Sequence, residues 1–212
     1  MFFWICFIIV FIPFVLIFPI KRVGKKNLKE LKGKNYIISC NHTSMLDPIM
    51  IDVKFAKKYR YLAKKELFEK KFIGACLRQF GGVPVDRSNP DPKAIKEIFR
   101  FIQQGKKIAI FPQGTRAKTI HVEEGSAKEG VAMFAIRTNT PVVPMMFDKK
   151  IKAFRRTKLY IGAPIYPDES RKKDKEYITE FSNLIVEKMN ELVGYNTVVV
   201  KQEQSMIEGE NK

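Results

Sequence analysis

His42 and Asp47 lie five residues apart in Asn41-His42-Thr43-Ser44-Met45-Leu46-Asp47, and their types suit proton transfer. A histidine oriented by a carboxylate is a general base: the imidazole takes a hydroxyl proton while the carboxylate fixes its tautomer and steadies the cation. On an ideal helix this spacing makes the two side chains diverge, so the pair requires a turn between strand and helix. The bland reading is that Asp47 caps the following helix and His42 is incidental, and the spacing alone favours it. A second group, Phe111-Pro112-Gln113-Gly114-Thr115-Arg116, suits anion binding. Gly114 lets backbone approach a ligand, Thr115 offers a hydroxyl, and Arg116 presents a planar fork that matches phosphate. Val83-Pro84-Val85-Asp86-Arg87 ends in another arginine. His42 and His121 are the only histidines, which excludes a histidine-rich metal site. Cys6, Cys40 and Cys76 lack zinc-ligand spacing and read as packing residues.

The elements that must position these residues alternate between two periods. Tyr36 to Cys40 reads as a buried strand, and a helix starts at Asp47-Pro48. Arg60 to Lys64 reads as a short strand, followed by a helix over Glu66 to Gln79. Gly81-Gly82 breaks it and leads into the strand Val83 to Val85. From Asp91-Pro92 a helix carries Ala94, Ile95, Ile98, Phe99 and Ile102 at helical spacing, and Gly105 ends it. Lys107 to Phe111 is a strand and Glu129 to Thr138 a helix. Pro141 to Phe147 and Leu159 to Gly162 are further strands, with prolines that confine the former to an edge or an end, or mark a bulge. A long amphipathic helix runs from about Asp174 to Leu192. This alternation predicts an α/β fold, a mixed β-sheet flanked by helices, with the chemistry gathered at the carboxyl ends of strands.

With 212 residues, 45% of them hydrophobic, the chain can bury a sizeable core, so disorder is not the default reading. Lys and Arg outnumber Asp and Glu by 39 to 22, a formal charge of +17 that calls for an anionic partner without choosing between nucleic acid and lipid. The apolar residues choose. Residues 1–20 contain no charged side chain and as an N-terminal hydrophobic membrane helix would span roughly 30 Å. Neither a basic N-terminal region nor a small-residue cleavage site is present, which disfavours a removable signal peptide, while Pro13 allows a kinked segment confined to one leaflet. Lys21, Arg22, Lys25, Lys26, Lys29, Lys32 and Lys34 follow, against the single acid Glu30. The positive-inside rule places them, and the remaining domain, on the cytoplasmic side of the cell membrane, with the lysines near anionic headgroups.

Taken in order, four segments resemble the glycerolipid acyltransferase family, in particular 1-acylglycerol-3-phosphate acyltransferases. The family pattern N-H-x-x-x-x-D matches Asn41, His42 and Asp47. A glycine, short strand and arginine match Gly82 to Arg87, F-P-E-G-T-R matches Phe111 to Arg116, and a Val-Pro strand matches Val142 to Pro144. Gln113 stands where the family usually has Glu; it keeps hydrogen-bonding capacity without the charge. The likeness runs over about residues 22 to 167. With the composition at the two ends it divides the chain into an anchor over 1–20, an acyltransferase domain over 21–194 and a polar tail over 195–212. The resemblance itself implies an acyl-transfer site. It also implies His42 and Asp47 as catalytic residues, and Asn41, Arg87, Gly114, Thr115 and Arg116 as substrate-binding residues. The reaction implied is acyl transfer from acyl-coenzyme A or acyl-carrier protein to lysophosphatidic acid, without metal or bound cofactor. Glycerol 3-phosphate or another lysolipid is the alternative acceptor. A non-catalytic basic protein that binds membranes or nucleic acid would explain the charge, but not His42 and Asp47 placed before two arginine blocks, and RNA-binding aromatic motifs are absent.

Overall fold

The computed structural model describes residues 15–86, 92–123, 125 and 127–195. Among them, the strands β1 (Ile20–Val23), β2 (Ile37–Cys40), β3 (Arg60–Lys64), β4 (Gly82–Val85), β5 (Ile108–Ile110), β6 (Val142–Phe147) and β7 (Thr157–Ile161) form one sheet. Its order is β1-β7-β6-β2-β5-β3-β4, and every neighbouring pair is parallel except β6 with β7. The helices are α1 (Asp47–Phe55), α2 (Glu66–Glu69), α3 (Lys71–Gln79), α4 (Pro92–Gln103), α5 (Gly130–Thr138) and α6 (Glu176–Glu191).

Both faces of the sheet are covered, which is why its central strands β2, β5 and β6 are buried at every position and, Ser39 apart, apolar throughout. Ile37, Ile108, Val142 and Met146 point into one layer, with Ile98, Phe134, Phe181 and Met189 of the helices. Their immediate neighbours Ile38, Ala109, Val143, Met145 and Phe147 point into the other, with Met50, Ile51 and Tyr59. Helix α4 buries Ala94, Ile98 and Ile102 along one stripe and ends where Gly105 takes a left-handed φ of 69°. There Lys106 N–H reaches back to the Phe101 carbonyl, the closing bond of a helix C-terminus.

Four sequence readings meet the structure as follows. The apolar segment falls mostly on residues 1–14, outside the described residues. No helix among the described residues is long and apolar enough to cross a membrane. The segment's last residue, Ile20, belongs to a strand: it pairs with Thr157 of β7 and packs in the core. The strand β1 was itself unforeseen, because its four residues read as the end of the apolar run and the start of the basic cluster. The helix expected over Glu66 to Gln79 is two helices, broken at Lys70, whose ψ of 114° is extended. Gly74 lets them fold against each other, since a Cβ there would lie 2.3 Å from the Phe68 carbonyl oxygen. Finally, β6 with Pro144 lies inside the sheet and not at its edge. The pairing slips by one residue between Met145↔Ile161 and Val142↔Ile165, a bulge that accommodates the missing N–H of Pro144. Of the alternatives for this strand, the bulge holds.

Candidate active site

The C-terminal ends of β2, β5 and β6 lie side by side, and the segments leaving them build the site. After β2 the chain makes a tight turn instead of continuing into helix. The Asp47 side chain closes it: Oδ2 accepts hydrogen bonds from the N–H groups of Thr43 at 2.7 Å and Ser44 at 2.8 Å. The same oxygen lies 3.0 Å from His42 Nδ1. Asp47 therefore closes the turn before α1 and holds the histidine through one oxygen, while Leu46 takes the N-cap position without a side-chain cap. Asp47 is wholly buried, whereas His42 keeps 15% of its side chain exposed. With Nδ1–H donated to the carboxylate, Nε2 carries the free lone pair. The imidazole stacks on Phe111 at 4.3 Å between centroids, and Phe111 stacks in turn on Tyr61, which restricts rotation of the ring.

Asn41, expected to bind substrate, has no face free for one. It is fully buried, its Nδ2 donates to the carbonyls of Ile120 and Phe147, and its Oδ1 accepts from Phe147 N–H. It braces the end of β2 against the end of β6 and the loop at 120. Gln113, the departure from the family pattern, is a brace too: its Oε1 accepts from His42 N–H at 3.2 Å and its Nε2 donates to the His121 carbonyl at 3.4 Å. A carboxylate could do the first of these but not the second.

The loop after β5 is joined directly to the histidine, because Ala117 N–H donates to the His42 carbonyl at 2.8 Å. Arg116 and Thr115 are thus one and two residues from that junction, and both are exposed. Among the described residues Arg116 makes no ion pair. Gly114, with φ of 68°, turns the loop so closely under Lys128 that a Cβ would meet the lysine stem at 3.2 Å. Arg87 lies outside the described residues.

Residues 19–148 match the acyltransferase family. The chain belongs to the acyltransferase family. A 1-acyl-sn-glycerol-3-phosphate acyltransferase of Bacillus subtilis is 31% identical over 180 residues, which are 82% of this chain and 87% of that protein. Proteins of the same name from Streptococcus pneumoniae and Cocos nucifera are 27% and 32% identical, and the matched residues span 59% and 45% of those longer chains. The fold is that of a crystallised 1-acyl-sn-glycerophosphate acyltransferase of Thermotoga maritima, with a TM-score of 0.60 at 22% identity over 82% of this chain and 70% of that one.

In this acyltransferase two residues escaped the sequence reading. Lys128, just before the helix expected from Glu129, adds a cation over the Gly114 turn, and its N–H donates to the Pro112 carbonyl. Asn190, near the end of α6, binds both the N–H and the carbonyl of Val122 and so fixes the loop that follows Arg116. No local pattern marks either residue; a polar residue on the buried stripe of the final helix was the available hint.

Proposed function

We propose that this acyltransferase moves a fatty acyl group from a thioester to the free hydroxyl of 1-acyl-sn-glycerol 3-phosphate, yielding phosphatidic acid. The observation that carries the reading is the His42–Asp47 pair, 3.0 Å apart, joined through the His42 carbonyl to the loop bearing Thr115 and Arg116. A proton acceptor and a phosphate fork on one connected framework suit an acceptor that carries both a hydroxyl and a phosphate. His42 Nε2 removes the hydroxyl proton as the oxygen attacks the thioester carbonyl carbon. The tetrahedral oxyanion collapses, the carbon–sulfur bond breaks, and the thiolate recovers the proton from His42. Asp47 supplies the countercharge while the imidazole is protonated. Arg116, Thr115, Gly114 and Lys128, with Arg87, hold the phosphate, so that the hydroxyl reaches His42 at high effective concentration. No electrons change hands, so the donor thioester of coenzyme A or acyl-carrier protein is the sole co-reactant. The names of the relatives support the acceptor assignment. Residues 1–14, which carry no charge, suit a membrane anchor, with the domain on the cytoplasmic side.

Detergent-solubilised protein, given acyl thioester with and without 1-acyl-sn-glycerol 3-phosphate, tests this. Thiol release should depend on that acceptor and exceed release with glycerol 3-phosphate or a lysolipid lacking a phosphomonoester. Release that ignores the acceptor, or favours glycerol 3-phosphate, would overturn the assignment.

A further inference from the structure

Tyr61 reaches the neighbours of both members of the His42–Asp47 pair. It is the second residue of β3 and 5% exposed, too deep to meet a substrate. Strand β3 pairs with β5 at Tyr61 and Ala109, and Phe111, two residues further, packs on the same face. There the rings of Tyr61 and Phe111 are 6.2 Å apart between centroids and 12° from parallel, an offset stack. Phe111 stacks in turn on the His42 imidazole, at 4.3 Å and 24°. The ring that faces the imidazole is thus seated against Tyr61.

The hydroxyl of Tyr61 reaches towards the other member. It lies 2.9 Å from the carbonyl oxygen of Pro48, the residue after Asp47, and 2.6 Å from Asp52 Oδ1. Both acceptors belong to α1, four residues apart and so on one face of it. The phenol has a single hydrogen, and whichever acceptor takes it, β3 is tied to the helix that Asp47 opens. Asp52 is itself buried, and Tyr59 N–H, just before β3, donates to the same oxygen at 3.0 Å. Packing alone would not call for this hydroxyl, since burying one is unfavourable unless it is hydrogen-bonded.

We propose that Tyr61 is a positioning residue for acyl transfer. Through Phe111 its ring sets the plane of the His42 imidazole, and through α1 its hydroxyl sets the place of Asp47. The bond between His42 Nδ1 and Asp47 Oδ2 joins the turn after β2 to the start of α1, so its 3.0 Å requires those elements to keep their spacing. Tyr61 fixes both from a third element. The proposal rests on the reading of His42 as the base and adds the residue that keeps Nε2 directed at the acceptor hydroxyl. Such direction matters because a reacting group displaced by about 1 Å can lose about 100-fold in rate.

The test uses the full chain in detergent, labelled at histidine with a magnetic nitrogen isotope. His42 and His121 are its only histidines, so the ring signals are few, and His121→Ala assigns them. At pH ~8, where imidazoles are neutral, the parent should show His42 as the Nδ1–H tautomer bonded to Asp47. Tyr61→Leu removes both contacts. It should shift the His42 signal toward the Nε2–H tautomer, leave His121 in place, and lower kcat about tenfold or more. The KM for the acceptor should stay within about twofold, because the loop bearing Arg116 is tied to the His42 carbonyl and not to Tyr61. Tyr61→Phe keeps the stack and loses only the tie to α1, so it should show the same changes on a smaller scale, with kcat down about threefold. It decides alone should Tyr61→Leu fail to fold. A His42 signal or a kcat that stays with the parent's overturns the proposal. So does an acceptor KM that rises in step with the loss of kcat, or a shift at His121 as large as that at His42, which reports general loosening. The spectrum needs no acceptor, so a His42 shift in a protein that fails to acylate 1-acyl-sn-glycerol 3-phosphate would count against the acceptor assignment and support the positioning of the histidine.

Discussion

At His42, the single carboxylate oxygen that holds the ring also holds the turn. His42→Ala should remove nearly all transfer, on the order of 100- to 10,000-fold, while acceptor and donor binding persist. Asp47→Asn should be severely impaired and should also lose stability, because Oδ2 accepts from two backbone N–H groups as well as from the imidazole. In rate the double variant should match His42→Ala, since an absent base leaves nothing to orient. His121 stacks on Tyr195 and meets Gln113 only through its backbone carbonyl, so His121→Ala is the control and should be mild. A His42→Ala enzyme that kept a tenth of parental activity would end the mechanism. Gln113→Glu should stay within a few-fold of the parent, because the acceptor for His42 N–H survives; a change of several orders of magnitude would show that charge at 113 takes part in the chemistry. A different consequence attaches to Asp52, behind the aromatic stack. Burial holds its carboxyl well above the usual range, at about 7 against 3.8, opposed by bonds from Tyr61 O–H and Tyr59 N–H and by Lys58 and Arg60. The folded state thus keeps a proton that the unfolded chain releases near 3.8, and the stability it lends is full below that value and lost as pH rises through about 7. Asp52→Asn cannot ionise, so its urea midpoint should gain on the parent's between pH ~4 and ~7. Parallel pH profiles would remove Asp52 from the account.

Among the elements, those with two agreeing signals were legible. Helix α4 has a complete apolar stripe and a glycine stop, and β2 is marked by the apolar residues Tyr36, Ile37 and Ile38 ahead of a polar turn. The strand β1 was not, because its partner β7 lies more than 130 residues away and nothing within Ile20–Val23 records that pairing. Pro144 carried a true local warning, yet only the register slip against β7 says which of its outcomes holds. The site divides in the same way. Residue type drew attention to His42, Asp47 and Arg116, whereas Asn41 entered as a ligand only through the family resemblance, which cannot report that its amide is spent on Ile120 and Phe147. Asn190 tests how far the final helix supports the site. Asn190→Ala leaves the buried N–H and carbonyl of Val122 unpaired, at roughly 1–3 kcal/mol per group. The expected result is a lower urea midpoint together with a raised KM for the acceptor, since the loop carrying Arg116 loses its tether. An unchanged midpoint would dismiss the clamp.

For the whole molecule, the place to cut is set by β1. Removing residues 1–14 leaves Ile20 paired with Thr157, whereas removing 1–20 would open the core. The shorter deletion should release the protein from membranes at high salt. At low salt the exposed cations should retain part of it, since surface charges act over about 10 Å at 0.1 M salt and less above it. Sedimentation of membranes at both salt levels reads the result, and a truncated protein that stays bound at high salt would show that those residues are not the main anchor.

Pro144 and Gly162 raise a matter of inheritance. A Cβ at 162 would fall 2.7 Å from the proline's Cγ, so the ring of one residue fills the room left by the other's missing side chain. Gly162 is not free to drift while the ring at 144 stands. Along any line of descent that keeps this bulge, a lineage that gains a side chain at 162 must already have surrendered the ring at 144, and the order of those two steps is fixed.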